Sequence, residues 1–127
     1  MKSLPNILLV DDDRQVVRYL KRGLEASGYA VTATSSGKQA LAVIQERMPD
    51  LLILDLNMPE PDGFDILRAE RSKFPYLRTL VISGYLHRDL LEAARFCGAV
   101  ATLEKPVTAD ALVAKVREVL GSLNRAR

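Results

Sequence analysis

Side chains able to do chemistry follow directly on short apolar runs. Ile7-Leu8-Leu9-Val10 leads into Asp11-Asp12-Asp13, Leu51-Leu52-Ile53-Leu54 into Asp55, and Leu80-Val81-Ile82 into Ser83. A weaker run, Val100-Ala101-Thr102-Leu103, leads through Glu104 to Lys105-Pro106. If such runs end side by side, Asp11, Asp12 and Asp55 share a small volume, and like charges that close raise each other's pKa or demand a cation. An all-oxygen donor set with no His or Cys nearby favours a hard ion. Few protein ligands, with room for waters and phosphate oxygens, favour Mg²⁺ over Ca²⁺. Ser83 and Lys105 facing that ion complete a site for a doubly charged tetrahedral anion, a phosphoryl group held by metal, ammonium and hydroxyl. Asp55 is the candidate acceptor, because a carboxylate that takes a phosphoryl group forms an acyl phosphate. A lone acid among Asp11, Asp12 and Asp13 is equally explained as a favourable charge at a helix N-terminus; that explanation does not reach Asp55. Lys105 has a simpler reading as the salt-bridge partner of a buried Asp, and both roles can hold in sequence.

The elements that must position these groups are read from the same runs. Uninterrupted apolar residues, without polar alternation, mark strands buried on both faces, as in a parallel sheet covered by helices. Tyr29–Ala33 and Val100–Leu103 supply two weaker strands. Between strands the period is helical: Val16, Leu20 and Leu24 in one stretch, and Leu112, Val116, Val119, Leu120 and Leu123 in another. Ser27-Gly28 and Cys97-Gly98 read as helix stops, Ser36-Gly37 as a helix start, and Thr108 as a cap for the last helix. Five strands alternating with five helices, joined by right-handed crossovers, make a three-layer α/β sandwich with ligand chemistry at the carboxyl ends of the strands.

Composition agrees. With 127 residues, 48% of them hydrophobic, and 27% charged, the chain is expected to fold as one domain over 1–127, ending with its fifth helix. A net charge of +2 is too small for a nucleic-acid footprint, so no direct nucleic-acid binding is expected. The single Cys97 and the absence of a signal-like or membrane-length apolar segment predict a cytoplasmic chain without membrane contact.

Four motifs now stand in one order: Asp11-Asp12 after an apolar strand, Leu54-Asp55-Leu56-Asn57-Met58-Pro59 with Asp62-Gly63 following, Val81-Ile82-Ser83-Gly84, and Lys105-Pro106. Over nearly its whole length the chain resembles the receiver domain of two-component response regulators, the CheY-like superfamily. The resemblance implies a flavodoxin-like fold with strand order 2-1-3-4-5 and Asp55 as phosphoacceptor, charged by a sensor histidine kinase or phosphotransfer protein. It implies that Asp12, Asp55 and the backbone carbonyl of Asn57 ligate Mg²⁺, with Asp11 acting through a water. Lys105 would hold a phosphoryl oxygen, Ser83 would donate its hydroxyl to the phosphate, and Lys105-Pro106 would be cis. The chain would act on no phosphoryl group but its own, and Ser83 would move toward it and signal to a downstream partner or effector. One position departs from the family: Thr102 stands three residues before Lys105, where a Tyr or Phe is common. The relay then runs through Ser83 and a rotating Thr102, or through the loop of Gly84, Tyr85 and Leu86. His87 is expected to be a surface residue.

Two rivals make different demands. A Mg²⁺-dependent phosphohydrolase of the haloacid dehalogenase type uses Asp-x-Asp, but Asn57 stands at its second acid position and its cap segment has no room here. A degenerate receiver serving only as an interaction module is favoured by Thr102 and opposed by Asp11, Asp12, Asp55, Ser83 and Lys105.

Overall fold

The computed structural model describes residues 4–58, 63–84 and 88–125, the side chains of Arg88, Leu90 and 122–125 excepted. Pro59, Asp62, Tyr85, Leu86 and His87 lie outside the described residues. Strands and helices alternate: β1 (Asn6–Val10), α1 (Arg14–Ala26), β2 (Ala30–Thr34), α2 (Gly37–Glu46), β3 (Leu51–Asp55), α3 (Gly63–Lys73), β4 (Thr79–Ser83), α4 (Arg88–Phe96), β5 (Ala101–Glu104) and α5 (Ala109–Arg125). The strands form one sheet in the order β2-β1-β3-β4-β5, every pairing parallel.

The apolar runs are uninterrupted because helices cover both faces of the sheet. Ile7 and Leu9 of β1, Leu51 and Ile53 of β3, and Leu80 and Ile82 of β4 pack under Leu20 and Leu24 of α1 and Leu112 and Val116 of α5. The alternate residues Leu8, Val10, Leu52, Leu54 and Val81 pack on the opposite face with Ala40 and Ile44 of α2, Ile66 and Leu67 of α3, and Leu91 and Ala94 of α4. Each fully buried Leu or Ile contributes about 1.5–3 kcal/mol through the surface it removes from water, so truncating Leu54 to Ala is expected to cost about 2–5 kcal/mol. The edge strand β2 is only partly covered, which is why its sequence signal is weak.

Helix boundaries follow local chemistry. Asp13 caps α1, its Oδ1 accepting from the N–H groups of Gln15 (3.0 Å) and Val16 (3.3 Å). Ser36 Oγ caps α2 through Gln39 N (3.2 Å), and Thr108 Oγ1 caps α5 through Ala111 N (3.0 Å). Gly28 closes α1 at φ +96°, a left-handed conformation that L side chains rarely adopt.

The structure shifts some strand ends. Asp55 and Ser83 are the last residues of β3 and β4 rather than the first residues beyond them, because Asp55 pairs with Ile82 and Ser83 with Glu104. β2 begins at Ala30, since the N–H of Tyr29 is spent on Leu24 O in closing α1, and it extends to Thr34, whose carbonyl accepts from Asp11 N (3.2 Å). Cys97 is partly buried against the α2–α4 side of the core.

Candidate functional site

Register brings the reactive groups together. Val10 pairs with Leu54, so Asp11, one residue further, lies level with Asp55; Ser83 follows Ile82, the partner of Asp55, and Glu104 beside it leads to Lys105. Lys105 N donates to Ser83 O, which ties the start of the last loop to the end of β4 (2.6 Å), and the Lys105-Pro106 peptide is cis. All of these positions fall at the carboxyl edge of the sheet, where open α/β folds place their ligands.

The carboxylates converge. Asp11, Asp12 and Asp55 each bring one oxygen to a cluster in which all three lie within 4.8 Å of one another. Asp11 and Asp55 are closed off from solvent, at 0% and 1% exposure, whereas Asp12 is exposed. Asp55 Oδ1 accepts from Asn57 N (3.0 Å), and Asp11 Oδ1 accepts from Asp13 N (3.0 Å). Of the three consecutive acids, Asp13 is therefore the helix cap, and the other two are free for the cluster. Capping accounts for Asp13, and Asp11 and Asp12 lie close to Asp55 instead.

Lys105 reaches across from the end of β5. Its Nζ lies 3.1 Å from Asp55 Oδ2 and 3.1 Å from Asp11 Oδ2. The contact to Asp55 is an aligned hydrogen bond, while Asp11 Oδ2 receives no aligned hydrogen bond among the described residues. Burial pushes the Asp55 carboxyl up from 3.8 to about 6; the N–H of Asn57 opposes that rise, the charge of Asp11 adds to it, and Lys105 opposes it. For Lys105 burial works against the charged form, but the two carboxylates outweigh it and the ammonium is held above its usual value. One cation shared between two buried anions leaves the cluster short of positive charge. Three hard oxygen donors, with one ammonium shared between the two buried ones, fit a divalent ion of the Mg²⁺ type.

Ser83 Oγ is buried with no hydrogen-bond partner among the described residues, so its hydroxyl is unspent. Thr102 is partly buried and pairs with Val81; Ala101 and Leu103 on either side of it face the α1–α5 core, which places Thr102 on the α4 side of the sheet.

Sequence reading gave no role to two residues that support the site. A Cβ on Gly63 would lie 2.5 Å from Leu56 Cα and 2.6 Å from Asp55 O, so only glycine lets α3 begin against the loop that follows Asp55. The signal was present as the Asp62-Gly63 pair, but its cause was a tertiary approach invisible in one dimension. Tyr19 of α1 accepts from Ala109 N through its hydroxyl (2.9 Å), joining the start of α5 to α1. No periodicity marks such a contact.

A family model described as the response regulator receiver domain matches residues 7–117. Among curated relatives, the alginate biosynthesis transcriptional regulatory protein AlgB of Pseudomonas aeruginosa is 38% identical over 106 residues, covering 84% of this chain and 24% of AlgB. The transcriptional regulatory protein PrrA of Mycobacterium leprae is 37% identical over 118 residues, covering 93% of this chain and 51% of PrrA. The chain thus spans about half the length of one relative and a quarter of the other. Among solved structures, a CheY-like response regulator receiver domain protein from Methanospirillum hungatei superposes with a TM-score of 0.91 at 28% identity, covering 98% of this chain and 100% of that one. The chemotaxis response regulator CheY4 of Vibrio cholerae superposes at 0.85 with 27% identity, covering 92% of this chain and 99% of that one.

Proposed function

The chain belongs to the response regulator receiver domain family, and from that premise we propose that its elements act as one receiver unit, phosphorylated on Asp55 in a Mg²⁺-dependent reaction. The donor is a phosphohistidine on a sensor kinase or phosphotransfer protein. An oxygen of Asp55 attacks phosphorus, the phosphorus–nitrogen bond breaks, and the leaving imidazole takes up a proton. Asp55 is predominantly ionised above about pH 6, so its nucleophile is available at neutral pH.

Asp12, Asp55 and the Asn57 carbonyl would hold the ion, with Asp11 beside them. When bound, the ion neutralises the charge that builds on the transferring oxygens. Lys105 exchanges its ion pair with Asp55 for a phosphoryl oxygen, and Ser83 donates its free hydroxyl to another. Hydrolysis of the acyl phosphate then resets Asp55. The observation that carries this reading is the convergence of three carboxylates within 4.8 Å, two of them sharing Lys105. A degenerate interaction module would have no need of that arrangement, and the haloacid dehalogenase rival lacks its second acid, Asn57 standing at that position.

Output runs from Ser83 through Thr102 on the α4 side of the sheet to a downstream partner or effector domain, as a shift between two states. The regulators AlgB and PrrA are transcriptional regulatory proteins of greater length, which supports an effector of that kind; the receiver itself makes no direct nucleic-acid contact. Among the described residues no helix is long and apolar enough to cross a membrane.

Beryllium fluoride with Mg²⁺, a mimic of the phosphoryl group of an acyl phosphate, tests the site without turnover. It is expected to shift the amide resonances of Asp55, Ser83 and Lys105 in the wild-type protein and to leave Asp55→Asn unchanged. Unmoved resonances at Ser83 and Lys105 in the wild type contradict the reading.

A further inference from the structure

A short segment joins Lys105 to α5, and both of its ends are held. Lys105 N donates to Ser83 O at 2.6 Å, and further along the chain Ala109 N donates to Tyr19 Oη of α1 at 2.9 Å. Gly23, one helical turn after Tyr19, meets the same residue: a Cβ there would lie 2.7 Å from Ala109 Cβ and 3.7 Å from Ala109 Cα. Tyr19 and Gly23 thus share one face of α1, and Ala109 is seated on that face by a hydroxyl and a bare backbone together.

Helix stability does not account for this seat. Thr108 Oγ1 already caps α5 through Ala111 N, and the first N–H of a helix is ordinarily left to water. Glycine is the least favourable residue for a helix interior after proline, yet it stands within α1 where Ala109 approaches. The helix that carries the seat is itself fixed, since Leu20 and Leu24 pack on the sheet and Asp13 caps its start. The contacts close a circuit. It runs from Asp11 through Asp13 and α1 to Tyr19, across to Ala109, and back along the chain to Lys105, whose Nζ returns to Asp11 Oδ2 at 3.1 Å and to Asp55 Oδ2 at 3.1 Å. An ammonium that meets two carboxylates at equal distance depends on where its backbone stands, and α1 holds one end of that backbone.

We infer that Tyr19 and Gly23 are positioning residues for Lys105: the seat they form for Ala109 sets where the ammonium stands against Asp55, and so how fast Asp55 takes up a phosphoryl group. The inference rests on Asp55 being the phosphoacceptor, and both residues act through Lys105.

The test compares the full chain with Tyr19→Phe, which removes only the hydroxyl, with Gly23→Ala, which forces Ala109 away, and with Gly23→Ala/Ala109→Gly, which removes the carbon that the new methyl meets. In metal-free protein the amide resonances of Lys105 and Ser83 are expected to move in both single variants and to return toward wild type in the double variant. With Mg²⁺ and a small-molecule phosphodonor, uptake read by intact mass should slow at least about threefold in both single variants, since misplacing a reacting group by about 1 Å can cost far more. It should recover in the double variant. Should Gly23→Ala not fold, Tyr19→Phe alone carries the comparison. A purely structural contact lowers the melting temperature but leaves Lys105, Ser83 and the rate unmoved; that result overturns the inference, as does a rate lost in Gly23→Ala that Ala109→Gly fails to restore. Wild-type protein that takes up no phosphoryl group overturns the reading of Asp55 and this inference with it, whereas normal wild-type uptake with unchanged variants overturns this inference alone.

Discussion

Lys105 Nζ stands 3.1 Å from Asp55 Oδ2, so the ammonium at the end of β5 is paired with the carboxylate proposed to accept the phosphoryl group. The ion pair is a resting state that holds two buried carboxylates together in the absence of a stronger cation. Lys105→Ala is expected to lose about 1–3 kcal/mol of stability in metal-free buffer at neutral pH, because breaking one side of a partly buried pair leaves the other uncompensated. Divalent affinity should stay the same or rise with the competing charge gone, so Mg²⁺ should raise the melting temperature of the variant more than that of wild type. Thermal unfolding with and without Mg²⁺ measures both, and a large loss of metal binding in the variant contradicts the role given to Lys105.

Proton and metal compete for Asp55. With its carboxyl pushed to about 6 by burial, metal affinity should be flat above pH 7 and fall by up to about tenfold per unit once pH drops below 6. Calorimetric titration of Mg²⁺ from pH 5 to 8 reads this directly. The apparent midpoint will sit below 6 when the ion is present, since the ion favours the charged form. An affinity that falls only near pH 4 would show an Asp55 with an ordinary carboxyl.

A second carboxyl reports on stability alone. Glu70 of α3 is wholly buried, its Oε1 accepting from Thr79 Oγ1 of β4 at 3.0 Å and its Oε2 without a partner. Burial pushes it from 4.5 to about 7, against the smaller opposing effects of Thr79 and Arg71. The folded state therefore binds the proton more tightly than the unfolded chain. Its contribution is fully present below about pH 4.5 and is lost as pH rises through 7. Glu70→Gln keeps the bond to Thr79 without the charge, so it should stabilise the protein by about 2 kcal/mol at pH 8 and flatten the dependence between pH 5 and 8. Urea unfolding across that range measures it, and equal slopes in the two proteins would contradict a raised Glu70.

Gly63 and Gly121 should respond oppositely to alanine. At Gly63 the added carbon meets backbone at 2.5 and 2.6 Å, neither of which can rotate away, whereas at Gly121 within α5 nothing lies within 4 Å. Gly63→Ala is expected to cost about 1–3 kcal/mol through overpacking and to slow phosphorylation by moving the Asp55 loop. Gly121→Ala is expected to gain up to about 1 kcal/mol from helix propensity. Melting temperatures of the two variants decide the matter, and two equal losses would show that the close approach at Gly63 has no special cost.

The sheet and the site were legible in the sequence for one physical reason. A parallel sheet covered on both faces demands continuous apolar residues, as in Leu51–Leu54, so the reactive residues that interrupt them stand out at the strand ends. Edge strand β2 had no such run, and its reading slipped by one residue. Glu70 could not be found this way: in a helix reading Arg68-Ala69-Glu70-Arg71-Ser72-Lys73 it resembles any solvated charge, and only the approach of Thr79 across the α3–β4 seam reveals its burial. Among Asp11, Asp12 and Asp13, residue type could not separate cap from cluster; the bonds from Gln15 and Val16 to Asp13 did. The roles of Tyr85 and His87 lie outside the described residues.

Intact-mass measurement after incubation with Mg²⁺ and a small-molecule phosphodonor tests the central claim most directly. Wild type should gain a single phosphoryl group, stable in acid and labile in base, and Asp55→Asn should gain none. Label that persists on Asp55→Asn, or a wild-type protein that takes up none with Mg²⁺ present, contradicts the assignment of Asp55 as the phosphoacceptor.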